Sequence, residues 1–460
     1  DFYIVTLLDD TQYVTPNSLK QIEFNTNGKI PDYLCYGLTS ITKVTDKSSS
    51  TTNIGKHAFD GCTNLIDFII QNTTISLIDE YAFQNCTSLT TMPEFHLKEV
   101  KKYAFANCNS LLVAPSLEDV NYIGDYAFSG CSLIKSIKVT NATYMGLNSL
   151  YGCSSLTELE VPFVGTSIKS SEAFGVIFGT TSYDNSYAVT QLSKTYYVPN
   201  GLVRLTIGGN SIRENACVNL TNVTTLIISD SVETIGEGAF NGFNSLESIT
   251  LPFVGKSDDA QNYEAVFGFI FGYKTYGQST TYFKSPNYDY VNEQIGSIDG
   301  LTWQYTCHTY RLASGSYDLY CKNSYYYIPA SLKYVTVTMD TTIPVAAFNG
   351  CSMLEKINIP LETDSIGVAA FQNCTSLKQF NSNQDGAFNI PEAVTTINDY
   401  SFYSCSLASN VSLSNSVLAI GKNAFAKCSL VDKFNSNEIT NLIIPEACQN
   451  IGFMHFQVWH

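Results

Sequence analysis

Ile235-Gly236-Glu237-Gly238-Ala239-Phe240-Asn241-Gly242-Phe243-Asn244-Ser245-Leu246-Glu247-Ser248-Ile249-Thr250-Leu251-Pro252 is one sentence in a text that repeats itself. Its second half, Leu246-x-x-Ile249-x-Leu251-Pro252, alternates apolar and polar positions as a short strand does and is closed by proline. Its first half, Ile235-Gly-x-x-Ala-Phe240, has no such alternation and turns the chain back. A unit this short cannot bury its apolar side alone, so copies must stack and share a continuous core.

The copies are present along the chain. The phrase Ile-Gly-x-x-Ala-Phe-x-x-Cys-x-x-Leu-x-x-Ile-x-Ile is clearest from Ile54, Ile123, Ile235, Ile366 and Ile420. Its aromatic position falls at Phe59, Phe83, Phe105, Phe128, Tyr151, Cys217, Phe240, Phe348, Phe371, Phe402, Phe425 and Phe456, with adjacent gaps mostly of 22 to 24 residues and two of 31. The wider gaps follow insertions opened by Phe380-Asn-Ser-Asn383 and Phe434-Asn-Ser-Asn437, after which Pro391-Glu-Ala-Val394 and Pro445-Glu-Ala-Cys448 rejoin the pattern. Cys448 therefore stands where Val394 does and is expected to be a small buried apolar group. Where the aromatic position shrinks to Cys35 or Cys217, the cysteine position grows to Leu38 or Leu220, as fixed core volume requires.

The period falls within the range of leucine-rich repeats. The expected fold is a leucine-rich-repeat solenoid, a right-handed superhelix of about 23-residue β-containing turns, with a parallel sheet on the inner face and loop or short strand on the outer face. About fifteen strand segments are expected, from Leu19–Phe24 through Leu202–Ile207 to Ile439–Ile444.

A longer duplication lies above the short one. Val161-Pro-Phe-Val-Gly165 matches Leu251-Pro-Phe-Val-Gly255, Glu172-Ala-Phe-Gly-Val-Ile-Phe-Gly179 matches Glu264-Ala-Val-Phe-Gly-Phe-Ile-Phe-Gly272, and Tyr196-Tyr-Val-Pro199 matches Tyr326-Tyr-Ile-Pro329. Residues 1–460 thus read as a single solenoid with a short insertion at 166–197 and a longer, tyrosine-rich one at 256–327 that is a candidate small subdomain. The longer insertion holds 13 of the 30 tyrosines together with Trp303. Such rings either stack on sugars or fill a partner's pocket, or form the insertion's own core.

Composition narrows the function. Charged residues are only 14%, so neutral polar groups must cover the surface, and the formal charge of −16 repels nucleic acid and anionic lipid. The richest apolar stretch, Ala265 to Tyr273, is far shorter than the roughly 18 to 20 residues that span a bilayer, so no direct membrane insertion is expected. The chain starts at Asp1 without a methionine or an apolar leader, as expected of a mature or trimmed chain whose export signal is not included, which neither excludes export nor shows it.

The repeat resembles the BspA-type leucine-rich repeat family over nearly the whole chain apart from the longer insertion. That resemblance implies that Leu-x-x-Ile-x-Ile-Pro is the inner strand of a horseshoe and Ile-Gly-x-x-Ala-Phe-x-x-Cys the outer return. It also implies an exported, extracellular or cell-surface bacterial protein that adheres to host matrix, mucosa or neighbouring microbes. It brings no catalytic residues and no ligand identity.

Cys62, Cys86, Cys108, Cys131, Cys153, Cys351, Cys374, Cys405 and Cys428 each follow the aromatic position by three residues and are expected to form a ladder of buried thiols. Cys307 and Cys321 lie outside it and are the disulfide candidates. Gly255-Lys256-Ser257 lacks the first glycine of a phosphate loop, because position 250 is Thr250. His57, His96, His308, His455 and His460 are scattered without metal-binding spacing and are expected at the surface or in loops. Asn381-Ser-Asn383-Gln-Asp385-Gly386 with Glu392 meets the spacing of a calcium loop except at its first ligand, yet Pro391 interrupts it and strands flank it. Neither metal nor cofactor is expected.

The reading that follows is a non-enzymatic binding or adhesion protein that presents a repeat scaffold to a protein or glycan partner. The alternatives are a glycan-directed enzyme using Asp289, Glu293, Asp299 or Asp318 of the longer insertion, and a structural spacer. In the strands the residues between the apolar ones should point outward in columns, among them Lys135, Lys138, Glu158, Glu160, Arg204 and Glu247. Partner contact is expected in the middle region, at Trp303, Tyr305, Lys333, Tyr334, Glu355 and Lys356.

Overall fold

A computed structural model describes residues 2–6, 12–275, 283–284, 301–311, 317–406, 408–428, 430–431, 433–435 and 443–452. Two compact units, Asp1–Gly209 and Asn210–His460, are each built as a parallel β-solenoid. Most turns contribute one strand to one sheet and a two-residue strand to another, and the core lies between them. In the repeat quoted above, Ile249 and Leu251 of strand Ser248–Leu251 are buried while Glu247 is exposed, so the alternation in the sequence is the alternation in the fold.

In the first unit, Gln21–Phe24, Lys43–Asp46 and Asp67–Ile70 pair in parallel, as do Ser136–Lys138, Glu158–Val161 and Arg204–Ile207. The two turns between these groups form no longer strand, although the pattern predicts one in each. Met92-Pro93 and Ala114-Pro115 occupy the places of Phe68-Ile69, and proline has no N–H to give to a ladder. The two-residue strands are less sensitive: six of them, from Lys29–Ile30 to Tyr144–Met145, pair without a break. An antiparallel pair, Phe2–Thr6 with Gln12–Pro16, precedes the solenoid turns.

The aromatic position forms a column of stacked rings in each unit. Phe59, Phe83, Phe105 and Phe128 follow one another at centroid spacings of 5.2, 5.4 and 5.3 Å. In the second unit Phe348, Phe371, Phe402 and Phe425 stack at 5.2 to 5.3 Å, and Phe267 from a neighbouring segment meets Phe348 at 5.1 Å with its ring tilted by 38°. Phe240 instead packs edge-on against Phe243, which replaces cysteine in that turn. The glycine of the repeat lets successive backbones touch. A Cβ on Gly124 would come within 2.3 Å of the Lys102 nitrogen one turn earlier.

The cysteine ladder has a hydrogen-bond logic. The Cys86 thiol donates to the Phe59 carbonyl at 3.1 Å, Cys108 to Phe83 at 3.1 Å, Cys131 to Phe105 at 3.2 Å, and in the second unit Cys374 to Phe348 and Cys405 to Phe371, each at 3.2 Å. Burial pushes these thiols up, Cys35 and Cys153 to about 12, which keeps the proton that the bond needs. Cys448 departs from expectation. It is half-buried rather than buried like Val394, because it stands beside Asn450–Ile451, the last described strand, whose residues are both exposed.

Both long repeats share one plan. A 3₁₀ segment, Phe174–Ile177 or Phe267–Phe271, replaces the Ala-Phe return: Leu150 N–H donates to the Ile177 carbonyl at 2.9 Å, and Phe240 N–H to that of Ile270 at 2.9 Å. An antiparallel hairpin follows in each. In the first it is Ser186–Gln191 with Lys194–Pro199, and in the second Leu301–Arg311 with Tyr317–Pro329. Tyr273–Thr275 and Phe283–Lys284 also pair with the latter strand. Tyr196 and Val198 are buried at the root of the short hairpin, as Tyr326 and Ile328 are at the root of the long one.

Candidate functional site

Strands Tyr334–Val337 and Lys356–Asn358 lie side by side in parallel, with Tyr334 opposite Lys356. Val335, Val337 and Ile357 are buried beneath them, so alternation turns Tyr334 and Lys356 outward. Tyr334 is 43% exposed, unusually open for an aromatic side chain on a sheet. Lys333 and Glu355 stand just before these strands. The Glu355 carboxylate is held between two ammonium groups, Lys378 at 2.9 Å and Lys333 at 3.4 Å, and the hydrogen bond from Lys378 keeps its pKa below the usual carboxylate value. Lys356 Nζ donates to Asn383 Oδ1 at 2.5 Å and Gln379 to Asp385 at 2.6 Å. The surface is polar and locally neutralised around one open tyrosine.

The other two residues expected to bind a partner arrive along the hairpin. Trp303 lies opposite Tyr327 and Tyr305 opposite Tyr325 in the antiparallel register, and four residues, 330–333, separate Pro329 at the end of the second hairpin strand from Tyr334. A backbone bond from Leu332 N–H to the Pro329 carbonyl, 3.1 Å, tightens the connection. In the same register Cys307 stands directly opposite Cys321. Of the carboxylates considered for a glycan-directed enzyme, Asp289, Glu293 and Asp299 lie outside the described residues, and Asp318 stands opposite Tyr310 in the hairpin.

The remaining motifs have structural employment. In the calcium-like segment Asn381 Oδ1 accepts from Ile359 N–H at 2.8 Å, while the Asn383 and Asp385 oxygens hold Lys356 and Gln379, so three would-be ligands are taken by protein donors. Among the described residues no group of three or more His, Cys, Asp and Glu side chains is arranged to hold a metal ion. Gly255-Lys256-Ser257 borders an open depression of about 760 Å³. Glu233, Asp258, Asp259 and Glu264 also line it, a setting hostile to phosphate, and Lys256 is engaged by Glu264 at 2.9 Å.

His57 corrects the expectation of surface histidines. It is buried, its Nδ1 2.7 Å from Asp60 Oδ2, and its ring is sandwiched between Tyr33 and Tyr81 at 4.9 and 4.5 Å. His96 is exposed as expected. The sandwich continues through Tyr103 and Tyr126 at 5.0 and 4.8 Å, a second column that sequence reasoning missed. Its signal was the residue two places before the aromatic position of the phrase, followed by alanine in every turn here but the first, where Leu34 follows Tyr33. There Tyr33, His57, Tyr81, Tyr103 and Tyr126 all have φ between 52° and 60°, a left-handed conformation that costs a non-glycine residue on the order of 1 kcal/mol and that ring stacking offsets.

A β-solenoid of roughly 23-residue turns, carrying Leu-x-x-Ile-x-Ile strands and an Ala-Phe-x-x-Cys return, is a leucine-rich-repeat protein. The chain belongs to the BspA-type leucine-rich repeat family, whose region matches residues 8–112, 91–186, 210–257 and 321–457. Among solved structures it is similar to a leucine-rich repeat protein of Bacteroides ovatus (19% identity, 93% of this chain and 91% of that one, TM-score 0.30). It is also similar to a leucine-rich cell surface protein of Faecalibacterium prausnitzii (19%, 98% and 93%, TM-score 0.26) and to an internalin of Listeria monocytogenes (12%, 90% and 88%, TM-score 0.33). No curated protein matches the chain significantly. No helix among the described residues is long and apolar enough to cross a membrane.

Proposed function

We propose that this chain is a non-catalytic binding module displayed on a bacterial cell surface, where it adheres to a protein or glycan of the host or of a neighbouring microbe. Its contact region is the middle of the chain, with Tyr334 at the centre, Lys333, Glu355 and Lys356 around it, and Trp303 and Tyr305 on the adjoining hairpin. Membership of a family of repeat scaffolds supports the surface role. The observation that carries the contact region is an open aromatic side chain, Tyr334, on a polar sheet face fed directly by the tyrosine-rich hairpin strand. Aromatic anchors ringed by polar groups dominate affinity at protein and glycan contacts, and a flat face suits such partners better than a small molecule.

The test is an array of glycans and matrix proteins probed with the purified chain and with a variant carrying Trp303→Ala, Tyr305→Ala, Lys333→Ala and Tyr334→Ala. Loss of one aromatic anchor costs about 2 kcal/mol, so the variant should bind its array partner at least about thirty-fold more weakly with an unchanged circular dichroism spectrum. Unchanged binding would exclude the middle region. A parent chain that binds nothing would favour a spacer that projects other domains.

A further inference from the structure

The cysteines divide by what their surroundings impose. Ten of the twelve described as free thiols are buried and Cys428 is nearly so, and in eight turns the S–H is already spent as a donor to a backbone carbonyl. A buried thiol that must keep its proton to hold a hydrogen bond is a poor source of the thiolate that begins disulfide exchange. Cys307 and Cys321 stand outside the repeat position that carries the ladder. They lie on the two strands of the long hairpin at directly opposed register positions.

The hairpin itself supplies a reason for a staple. Its register slips between Tyr305 and Thr306, so that Tyr305 opposes Tyr325 while Thr306 opposes Lys322. Beyond the slip, Thr306 to Arg311 and Tyr317 to Lys322 form a separate ladder, farther along the hairpin than the buried Tyr326 and Ile328 at its root. Apart from the two-residue strand Phe283–Lys284, which pairs with Tyr320 and Cys321, this outer part is a two-stranded ribbon, and two strands alone are marginally stable in water. Opposed residues in an antiparallel pair have Cβ atoms about 4.5 to 5.5 Å apart, close to the span that a disulfide bridges.

We propose that Cys307 and Cys321 form a cross-strand disulfide that closes the outer part of this hairpin. An oxidising disulfide, such as oxidised glutathione or a thiol oxidoreductase, accepts the two electrons. Its S–S bond is cleaved to two thiols, the Cys307 and Cys321 thiols surrender their two protons, and one S–S bond forms between them. This goes beyond the binding role and does not depend on it.

The sequence makes the test direct, because trypsin cuts after Lys284, Arg311 and Lys322 and so places the two cysteines in separate peptides, 285–311 and 312–322, each with one cysteine. The full chain is treated with oxidised glutathione, its remaining thiols are alkylated, and it is digested without reductant. The two peptides should appear joined, lighter by two hydrogens than their sum, and should separate on reduction. In Cys307→Ser, Cys321 should become open to alkylation while the ladder thiols stay protected. Recovery of both peptides unlinked, or of either joined to another cysteine peptide such as that of Cys448, would overturn the proposal whatever the binding array shows.

Discussion

At the scale of single residues the fold is a set of columns, and each column is one position of the repeat. Phe105 stacks on Phe83 and Phe128 and its carbonyl receives the Cys131 thiol, so it is tied to both neighbouring turns. Phe105→Ala should cost about 3 to 5 kcal/mol, measured by urea unfolding, because the cavity would be lined by rings held in place from above and below. The thiols make a second test. Cys62, Cys108 and Cys374 should resist alkylation in the native protein while Cys448 reacts, and rapid labelling of the ladder would contradict the register. These columns were legible because Phe and Cys recur at fixed spacing. The burial of His57 was not: a lone histidine in a list of scattered ones gives no sign that Tyr33 and Tyr81 stand above and below it, since that neighbourhood exists only once the turns are stacked.

At the scale of elements, what reading the sequence missed is where the pattern is interrupted. The spacing places strands at 89–93 and 111–115, and Pro93 and Pro115 remove them, a local veto that a periodic argument smooths over. Likewise the repeated Phe-Gly-x-Ile-Phe-Gly was visible as a duplication, but its 3₁₀ form, and the hairpins that follow, depend on contacts with neighbouring turns. One such contact is testable by pH. Asp340 is buried after strand Tyr334–Val337, and its Oδ2 accepts the Val254 N–H at 2.8 Å at the mouth of the longer insertion. Burial, with Asp258 adding repulsion, raises its pKa from 3.8 to about 7. The folded state therefore holds a proton that the unfolded state releases, so this group's effect on stability is most favourable below about pH 4, declines as pH rises through about 7, and is constant above. Asp340→Asn keeps an acceptor for Val254 and removes the charge. It should raise the melting temperature at pH 8, by the equivalent of a few kcal/mol at most, and have little effect at pH 4. Equal shifts at the two pH values would rule this account out.

At the scale of the whole molecule, turns touch chiefly their neighbours, and stability should be correspondingly local. Hydrogen exchange on Phe105→Ala should show protection lost across the turns around Phe83 and Phe128 and retained at the far turns of the same unit, such as Gln21–Phe24. Uniform loss of protection throughout that unit would mean that it opens as one block. Little of the candidate contact region was fixed by the repeat itself, because repeat positions specify the core and leave outward residues such as Tyr334 and Lys356 free to vary.

The two hairpins carry a further consequence. One has strands of six residues each and the other of eleven and thirteen, yet both return through a Tyr-Tyr-x-Pro segment with the first tyrosine and the third residue buried. Lengthening a loop whose ends are already held together adds only a logarithmic entropy cost. That junction is expected to act as a graft point: hairpins of other lengths and compositions, inserted there, should leave the solenoid folded, so that a lineage or an engineered library would vary the hairpin while the scaffold is inherited unchanged.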